Sequence, residues 1–304
     1  MHPKTFRELQ QAVDSKITED IRSEIVSYVV ANEPKLWGAS KPRGFVETAV
    51  LLALYKDLEM VDYQRILATI QLDFKVSFSS FRANTRKLRL VFKEWAKTVI
   101  KLGSLPTWKA AARHLDVLPD MSAGCLWIDS SDFSLQNTTT RLKSHPNYSH
   151  KNGRLGRRFM FLSDANGIIK KIWGGYSPKV YDGHFLELNT SWFAKKLKGA
   201  GVFGDFHFSN GKTLLKKKVD FYVPFPKPAN FSKRDSGADF RKLTKEQQKW
   251  NARVAHLRAR VEQTFAWLKT KFRCLAKPWA EDSAQLDCVL WLACGIYNKT
   301  KQGL

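Results

Sequence analysis

The stretch CLWIDSSDFSLQ, Cys125 to Gln136, is where the chain changes character. It reads as one strand, whose apolar opening, Leu126-Trp127-Ile128, is of buried type and is followed on the strand by an acid, Asp129. After it, RRFMFLSD (Arg157–Asp164) and GIIKKIWGG (Gly167–Gly175) read as two strands joined at Ala165-Asn166-Gly167, a good hairpin turn. A helix is expected over His184–Leu197, a short strand over GVFGD (Gly201–Asp205) and another over FYVPF (Phe221–Phe225), stopped by prolines. The polar stretch Lys227–Asp239 reads as a loop. One long helix over Leu243–Leu275 and a last one over Asp282–Lys299 complete the chain. Three strands followed by alternating helices and strands is the element order of a ribonuclease H-like α/β domain.

Before Cys125 the sequence reads as helical. Helices are expected over Ile17–Ala31, over the strongly apolar Phe45–Leu58 and over Tyr63–Ile70. A further helix, about Phe81–Leu102, follows Ser77 or Ser79 as cap. It carries Leu88, Val91, Phe92, Trp95 and Val99 at helical spacing, with Arg82, Arg86, Lys87, Arg89, Lys93 and Lys97 around them. A short helix, a turn and a longer basic helix make a candidate helix-turn-helix. The connector Leu102–Met121 holds one short helix. The expected organisation is an all-helical N-terminal domain over 1–120 and an α/β domain over 121–304.

With 304 residues, 43% hydrophobic and 12% aromatic, the chain has ample material for a core and is not a disordered basic tail. Its 51 Lys+Arg against 28 Asp+Glu leave a net charge of +23, which points to a polyanion as partner. The excess is uneven: residues 1–120 hold 19 bases and 14 acids, residues 121–304 hold 32 and 14. No apolar run is long enough to span a membrane, and the N-terminus lacks the apolar centre of a secretory signal. Cys125, Cys274, Cys288 and Cys294 form no CxxC pair, which suits buried thiols in a reducing compartment rather than a zinc site.

In so basic a chain the acids are informative. Asp129 and Asp205 sit at strand segments. Glu262 borders the apolar stripe Val254, Leu257, Val261, Phe265, Leu268, Phe272 of the long helix. In a ribonuclease H-like sheet the strands carrying Asp129 and Asp205 are neighbours, and a packed helix can bring Glu262 to the same edge. Converging carboxylates suit hard cations such as Mg²⁺, and two such ions serve phosphodiester chemistry. Each acid also has a plainer reading: Asp129 as a turn or cap residue, Asp205 as the cap of a following short helix, Glu262 as the i, i+4 partner of Arg258. Asp132 competes for the first position, although a regular strand sends Asp129 and Asp132 to opposite faces.

WIDSSDFSL, the Tyr148-Ser149-His150-Lys151 segment, GIIKKIWGGYSPKVYDGHF, VFGDFHFS and RARVEQTFAWLKTKFRCL occur in an order that resembles the DDE endonuclease domain of PIF/Harbinger-type transposases, relatives of bacterial insertion-sequence transposases. The match runs from about Leu126 to Leu275. It implies a ribonuclease H-like fold with Asp129, Asp205 and Glu262 as catalytic, metal-holding acids. It also implies two Mg²⁺ (or Mn²⁺) ions, DNA cleavage and joining of 3′-hydroxyl ends to target DNA. Asp182 and His184 in VYDGH match a family segment that usually carries His-Asp in the opposite order, which leaves their roles open. Transposon ends and target DNA are the implied partners, with a homo-oligomer and a separate Myb-like DNA-binding protein as further ones. A domesticated, catalytically silent DNA-binding or assembly protein of the same fold is the alternative.

Lys151, Arg154, Arg157 and Arg158 form a basic cluster before a strand, and Arg258 and Lys269 flank Glu262; with Arg82, Arg86, Lys87 and Lys93 they are the expected DNA contacts. Lys216–Lys218 reads as a solvated run that resembles a nuclear localisation signal. The expected location is nuclear in a eukaryotic host and cytoplasmic otherwise, not secreted.

Overall fold

Strand β1 runs from Gly124 to Ser134, and Cys125, Leu126, Trp127 and Ile128 are all buried on it. The computed structural model describes residues 5–37, 41–61, 63–69, 77–113, 124–136, 143–226 and 243–303. The Lys227–Asp239 loop and most of the expected connector after Arg113 lie outside the described residues. Five further strands share the sheet: β2 (Tyr148–Ser149), β3 (Arg154–Asp164), β4 (Ile169–Tyr176), β5 (Gly201–Phe203) and β6 (Asp220–Tyr222). Their order is β2-β3-β1-β5-β6, with β4 also paired to β3. β2 and β4 run antiparallel to β3, whereas β5 is parallel to β1 and β6 is parallel to β5. The sheet is therefore mixed, and β1 lies where its antiparallel side meets its parallel side.

The hairpin expected at Ala165-Asn166-Gly167 joins β3 to β4. Asp164 builds it: its Oδ1 accepts the Asn166 and Ile168 backbone N–H groups at 2.9 and 3.0 Å, and its carbonyl accepts the Gly167 N–H at 2.9 Å. Gly167 takes φ +80°, the left-handed region a residue with a Cβ resists.

The chain forms two compact units, each drawn from several segments. One comprises Met1–Lys101, Asp132–Arg157 and Ala266–Leu304; the other Leu102–Ser131 and Arg158–Phe265. The first holds helices α1 (Phe6–Asp14), α2 (Glu19–Trp37), α3 (Arg43–Glu59), α4 (Tyr63–Thr69) and α5 (Phe78–Val99), joined near the C-terminus by α10 (Arg273–Ala276) and α11 (Ser283–Gln302). α1 starts in a capping box in which Thr5 and Glu8 bond each other's backbone N–H. Ser77 caps α5 through the Ser80 N–H at 3.2 Å, so that helix begins three residues earlier than the sequence predicts. α5 packs along α11, burying Leu88, Phe92 and Trp95. A Cβ at Gly295 on α11 would stand 2.9 Å from the Trp95 ring and 3.0 Å from Ala96, so glycine permits this approach. The turn of the candidate helix-turn-helix falls outside the described residues.

The second unit holds α6 (Leu105–Ala112), α7 (Asp182–Lys196), α8 (Gly211–Leu214) and most of α9 (Lys245–Lys271). Its core joins Leu126 and Ile128 of β1 with Met160 and Leu162 of β3, Val202 of β5 and Phe185, Leu186 and Phe193 of α7. Each such side chain contributes about 1.5–3 kcal/mol by leaving water. The stripe read on the long helix, Val254 to Phe272, is buried throughout. That helix ends sooner than expected, because Phe272 is extended (φ −107°, ψ 94°) and α10 follows as a separate short turn. All four cysteines are buried free thiols, and among the described residues no helix is long and apolar enough to cross a membrane.

Candidate active site

The parallel register of β1 and β5 places the first two acids. Trp127 pairs with Phe203, so Asp129, within β1, and Asp205, just past the end of β5, each follow that pair by two residues. This is the carboxyl end of the sheet, beside the change of strand direction, where α/β folds gather their ligands. β5 itself stops at Phe203. Asp205 caps the short 3₁₀ turn Phe206–Phe208 by accepting the His207 N–H at 2.9 Å. The cap reading of Asp205 is thus correct, and it is compatible with a place in the acidic group.

Asp129 is 8% exposed. Its Oδ1 accepts the Ser130 N–H at 2.8 Å, and its Oδ2 lies 3.7 Å from Arg258 Nε. Burial pushes its carboxyl up to about 6; Arg258 and the Ser130 N–H oppose the rise, while Asp205 and Asp182 add to it. Asp182, the first residue of α7, joins the same group. It is buried, and its pKa is raised by burial first and by Asp205 next. Arg158 Nη1 stands 3.7 Å from its Oδ1, an oxygen with no hydrogen-bond partner among the described residues. The sequence brought Asp182 into view only through VYDGH and left its role open. Its burial at a helix start beside two strand ends is a tertiary fact.

Glu262 lies apart from this buried group. Its side chain is 56% exposed, and Arg258 Nη2 donates to its Oε1 at 2.6 Å. The i, i+4 pairing is therefore present, and Arg258 links Glu262 to Asp129, reaching the first through Nη2 and the second through Nε. Asp205 also acts on Arg258, whose pKa stays raised although burial works against it. Among the described residues no group of three or more His, Cys, Asp or Glu side chains is arranged to hold a metal ion. The donors nonetheless have the chemistry of a hard-cation site. Two buried carboxyls are destabilised by burial and by neighbouring acids, and one oxygen of Asp182 lacks a hydrogen-bond partner.

Asp132 is held elsewhere. Ser149 Oγ donates to its Oδ2 at 2.6 Å, and the Asn152 side-chain amide donates to its carbonyl at 3.3 Å. Of the expected DNA contacts, Lys151 and Lys269 come together. Burial lowers the Lys269 pKa and Lys151 lowers it further, and the Lys269 ammonium sits 5.3 Å from the Phe133 ring centroid. Arg157 reaches Asn147 Oδ1 at 3.5 Å, and Arg158 donates to the Val180 carbonyl at 3.0 Å, so both have local partners. Arg154 lies at the β2–β3 pairing, opposite Ser149. On α5, Arg82 and Lys87 are exposed, with Lys87 Nζ 3.3 Å from the Leu36 carbonyl, whereas Arg86 is half-buried and Lys93 pairs with Asp287.

These acids lie in a chain of net charge +23, a balance that suits a polyanionic partner. A family model described as DDE superfamily endonuclease matches residues 128–298, more than half of the chain, so the protein belongs to the DDE superfamily of endonucleases. It therefore belongs to a family of nucleases, and DNA is the substrate this membership implies. Compared with curated proteins and with solved structures, the chain matches none.

Proposed function

We propose that the protein is a DDE-type transposase, or a nuclease derived from one, that cleaves DNA phosphodiester bonds at the Asp129–Asp205 edge. The observation that carries this reading is the register that sets Asp129 beside Asp205, with Asp182 as a third buried acid. The strand order, β4 and β3 antiparallel beside β1 with β5 and β6 parallel on its other side, supports a ribonuclease H-like domain. The quoted motifs support a PIF/Harbinger-type relationship and the joining of 3′-hydroxyl ends to target DNA.

In this reading Asp129, Asp205 and Asp182 hold divalent cations, Mg²⁺ or Mn²⁺, and Glu262 completes the set. When bound, such ions lower the pKa of water and stabilise the leaving oxygen. The chain's own residues do the rest. Asp129 and Asp182 supply buried oxygens whose mutual repulsion a bound cation would relieve. Arg258 holds Glu262 and Asp129 in the absence of a cation and can turn to a phosphate oxygen. Lys151 and Lys269 meet the DNA backbone, and the exposed Arg82 and Lys87 of α5 provide a second contact, in keeping with a helix-turn-helix.

The test is nicking of supercoiled DNA by the full chain with Mg²⁺ or Mn²⁺, lost on Asp205→Asn without loss of DNA binding. Undiminished nicking by Asp205→Asn would overturn the site. One observation favours a second reading, a catalytically silent DNA-binding protein: Arg258 already neutralises the acids while Glu262 faces solvent. A homogeneous protein that binds DNA yet never nicks it with either metal would establish that reading.

A prediction about the backbone contact follows from the two lysines. Because Lys151 and Lys269 repel each other, each gains by neutralising a phosphate. Lys151→Ala and Lys269→Ala are each expected to weaken DNA binding uniformly across sequences. Each should also reduce the slope of log affinity against log salt by about 1. Fluorescence anisotropy titrations between low and moderate salt measure both, and an unchanged slope rejects the phosphate contact.

A further inference from the structure

A cavity of about 640 Å³ opens beside the acidic edge, and its lining includes Asp205, Arg258, Phe206, Phe225, Leu243 and Gln248. Its size is that of a small-molecule site. Phe206 and Phe225 are each 38% exposed, in a protein that buries most of its large apolar side chains. Phe225 is held in place. Asn251 on α9 accepts its backbone N–H at 2.7 Å and donates to its carbonyl at 3.0 Å. The preceding residue, Trp250, donates to the Val223 carbonyl at 2.9 Å and packs edge-on against the Phe225 ring, 6.2 Å between centroids. The backbone of Phe225 is thus anchored while its ring stays half-exposed, with Trp250 against its edge. Gln248 spends its Nε2 on the Leu243 carbonyl at 2.9 Å, which leaves Oε1 as an acceptor at the lining.

Flat aromatic faces, an amide acceptor and an adjoining carboxylate edge match the parts of one nucleotide. The base has two π faces and edge donors, and its phosphate lies one sugar away. We propose that this cavity receives an unpaired nucleobase of the DNA being cut, stacked on Phe206 or Phe225, while the neighbouring phosphate lies at Asp129 and Asp205. The inference rests on the DNA-cleavage reading and adds to it that the substrate must present an unstacked base at the site, by strand opening or extrusion. Stacking on aromatic rings is tolerant of base identity, so the cavity selects for opened DNA more than for sequence.

The probe is a single-stranded thymidine oligonucleotide carrying one 5-iododeoxyuridine, irradiated with the full chain in EDTA, with the adduct located by mass spectrometry. Adducts on Phe206, Phe225 or Trp250 are expected; no binding, or adducts only elsewhere, would overturn the proposal. Phe225→Ala is expected to bind the oligonucleotide about tenfold more weakly, with Phe225→Tyr restoring affinity. Unchanged affinity in a Phe206→Ala, Phe225→Ala double variant would also overturn it. Cross-linking needs no metal, so it is judged apart from catalysis. Nicking by the wild type without adducts in the cavity rejects the base pocket alone, whereas adducts there without nicking under any metal reject the cleavage reading.

Discussion

An Asp129→Asn protein is expected to melt at a higher temperature than the wild type at pH 7.5 in EDTA, and to have lost all metal-dependent nicking. Both effects come from one fact: the carboxylate is 8% exposed and its pKa is pushed up to about 6, mainly by burial. The ordinary value is 3.8. Between about pH 4 and 6 the folded protein therefore keeps a proton that the unfolded chain has released. Stability falls as pH rises through that window, and the full cost is present above it. Two pH units correspond to roughly 3 kcal/mol. Asparagine has nearly the same shape without the charge and recovers part of that amount. The attraction of Arg258 for Asp129 is lost as well, but it already opposes the rise and is outweighed by burial. Thermal melts of both proteins from pH 3.5 to 8 test the sign. The curves should converge at the acid end and separate above pH 6. A variant less stable than wild type at pH 7.5 refutes the electrostatic account, and one that still nicks DNA refutes the site.

Arg89→Ala is expected to destabilise the first unit by about 3–5 kcal/mol, seen as a fall in the urea midpoint. Arg89 and Asp57 are both 0% exposed. The guanidinium donates from Nε to Asp57 Oδ2 at 3.0 Å and from Nη1 to Glu281 Oε2 at 2.8 Å, and it lies 4.9 Å from the Trp279 ring centroid. The Tyr63 hydroxyl donates to Glu281 at 3.2 Å, and Lys56 stands 3.7 Å from it. Removing the arginine leaves two acids without their main counter-charge in a low dielectric, which costs more than the pair itself is worth. An Asp57→Ala, Arg89→Ala double variant should lose less than the sum of the single variants. The pH signature is opposite to that of Asp129. Burial pushes Glu281 up, but hydrogen bonding and attraction from Arg89 outweigh it and hold the carboxyl below its ordinary value. Its contribution is present above about pH 4.5 and is lost as pH falls through the lower folded value. A double variant as unstable as the sum of the singles rejects the coupled network.

Much of the framework was legible in the sequence. The Ala165-Asn166-Gly167 turn, the stripe from Val254 to Phe272 and the apolar run into Asp129 are local patterns, and period and turn chemistry report them directly. Arg89 was not legible. It lies among basic residues on an amphipathic helix, and nothing in its neighbours distinguishes it from Arg82, which is exposed. Only the arrival of Asp57 and Glu281 from distant parts of the chain makes its burial affordable. Glu262 shows the converse: its helix position bordered the buried stripe, yet its side chain turns to Arg258 and solvent.

The sequence by itself determined most of the order of elements, the excess of positive charge and the identity of two acids on or beside strands, because these depend on composition and near-neighbour periodicity. The tertiary structure decided which acids meet. The parallel register of Trp127 with Phe203 sets Asp129 beside Asp205, α7 brings in Asp182, and Arg258 rather than Glu262 lies against Asp129. Pairwise electrostatics falls with distance in space and not along the chain, so no local pattern could report that grouping before the sheet was assembled.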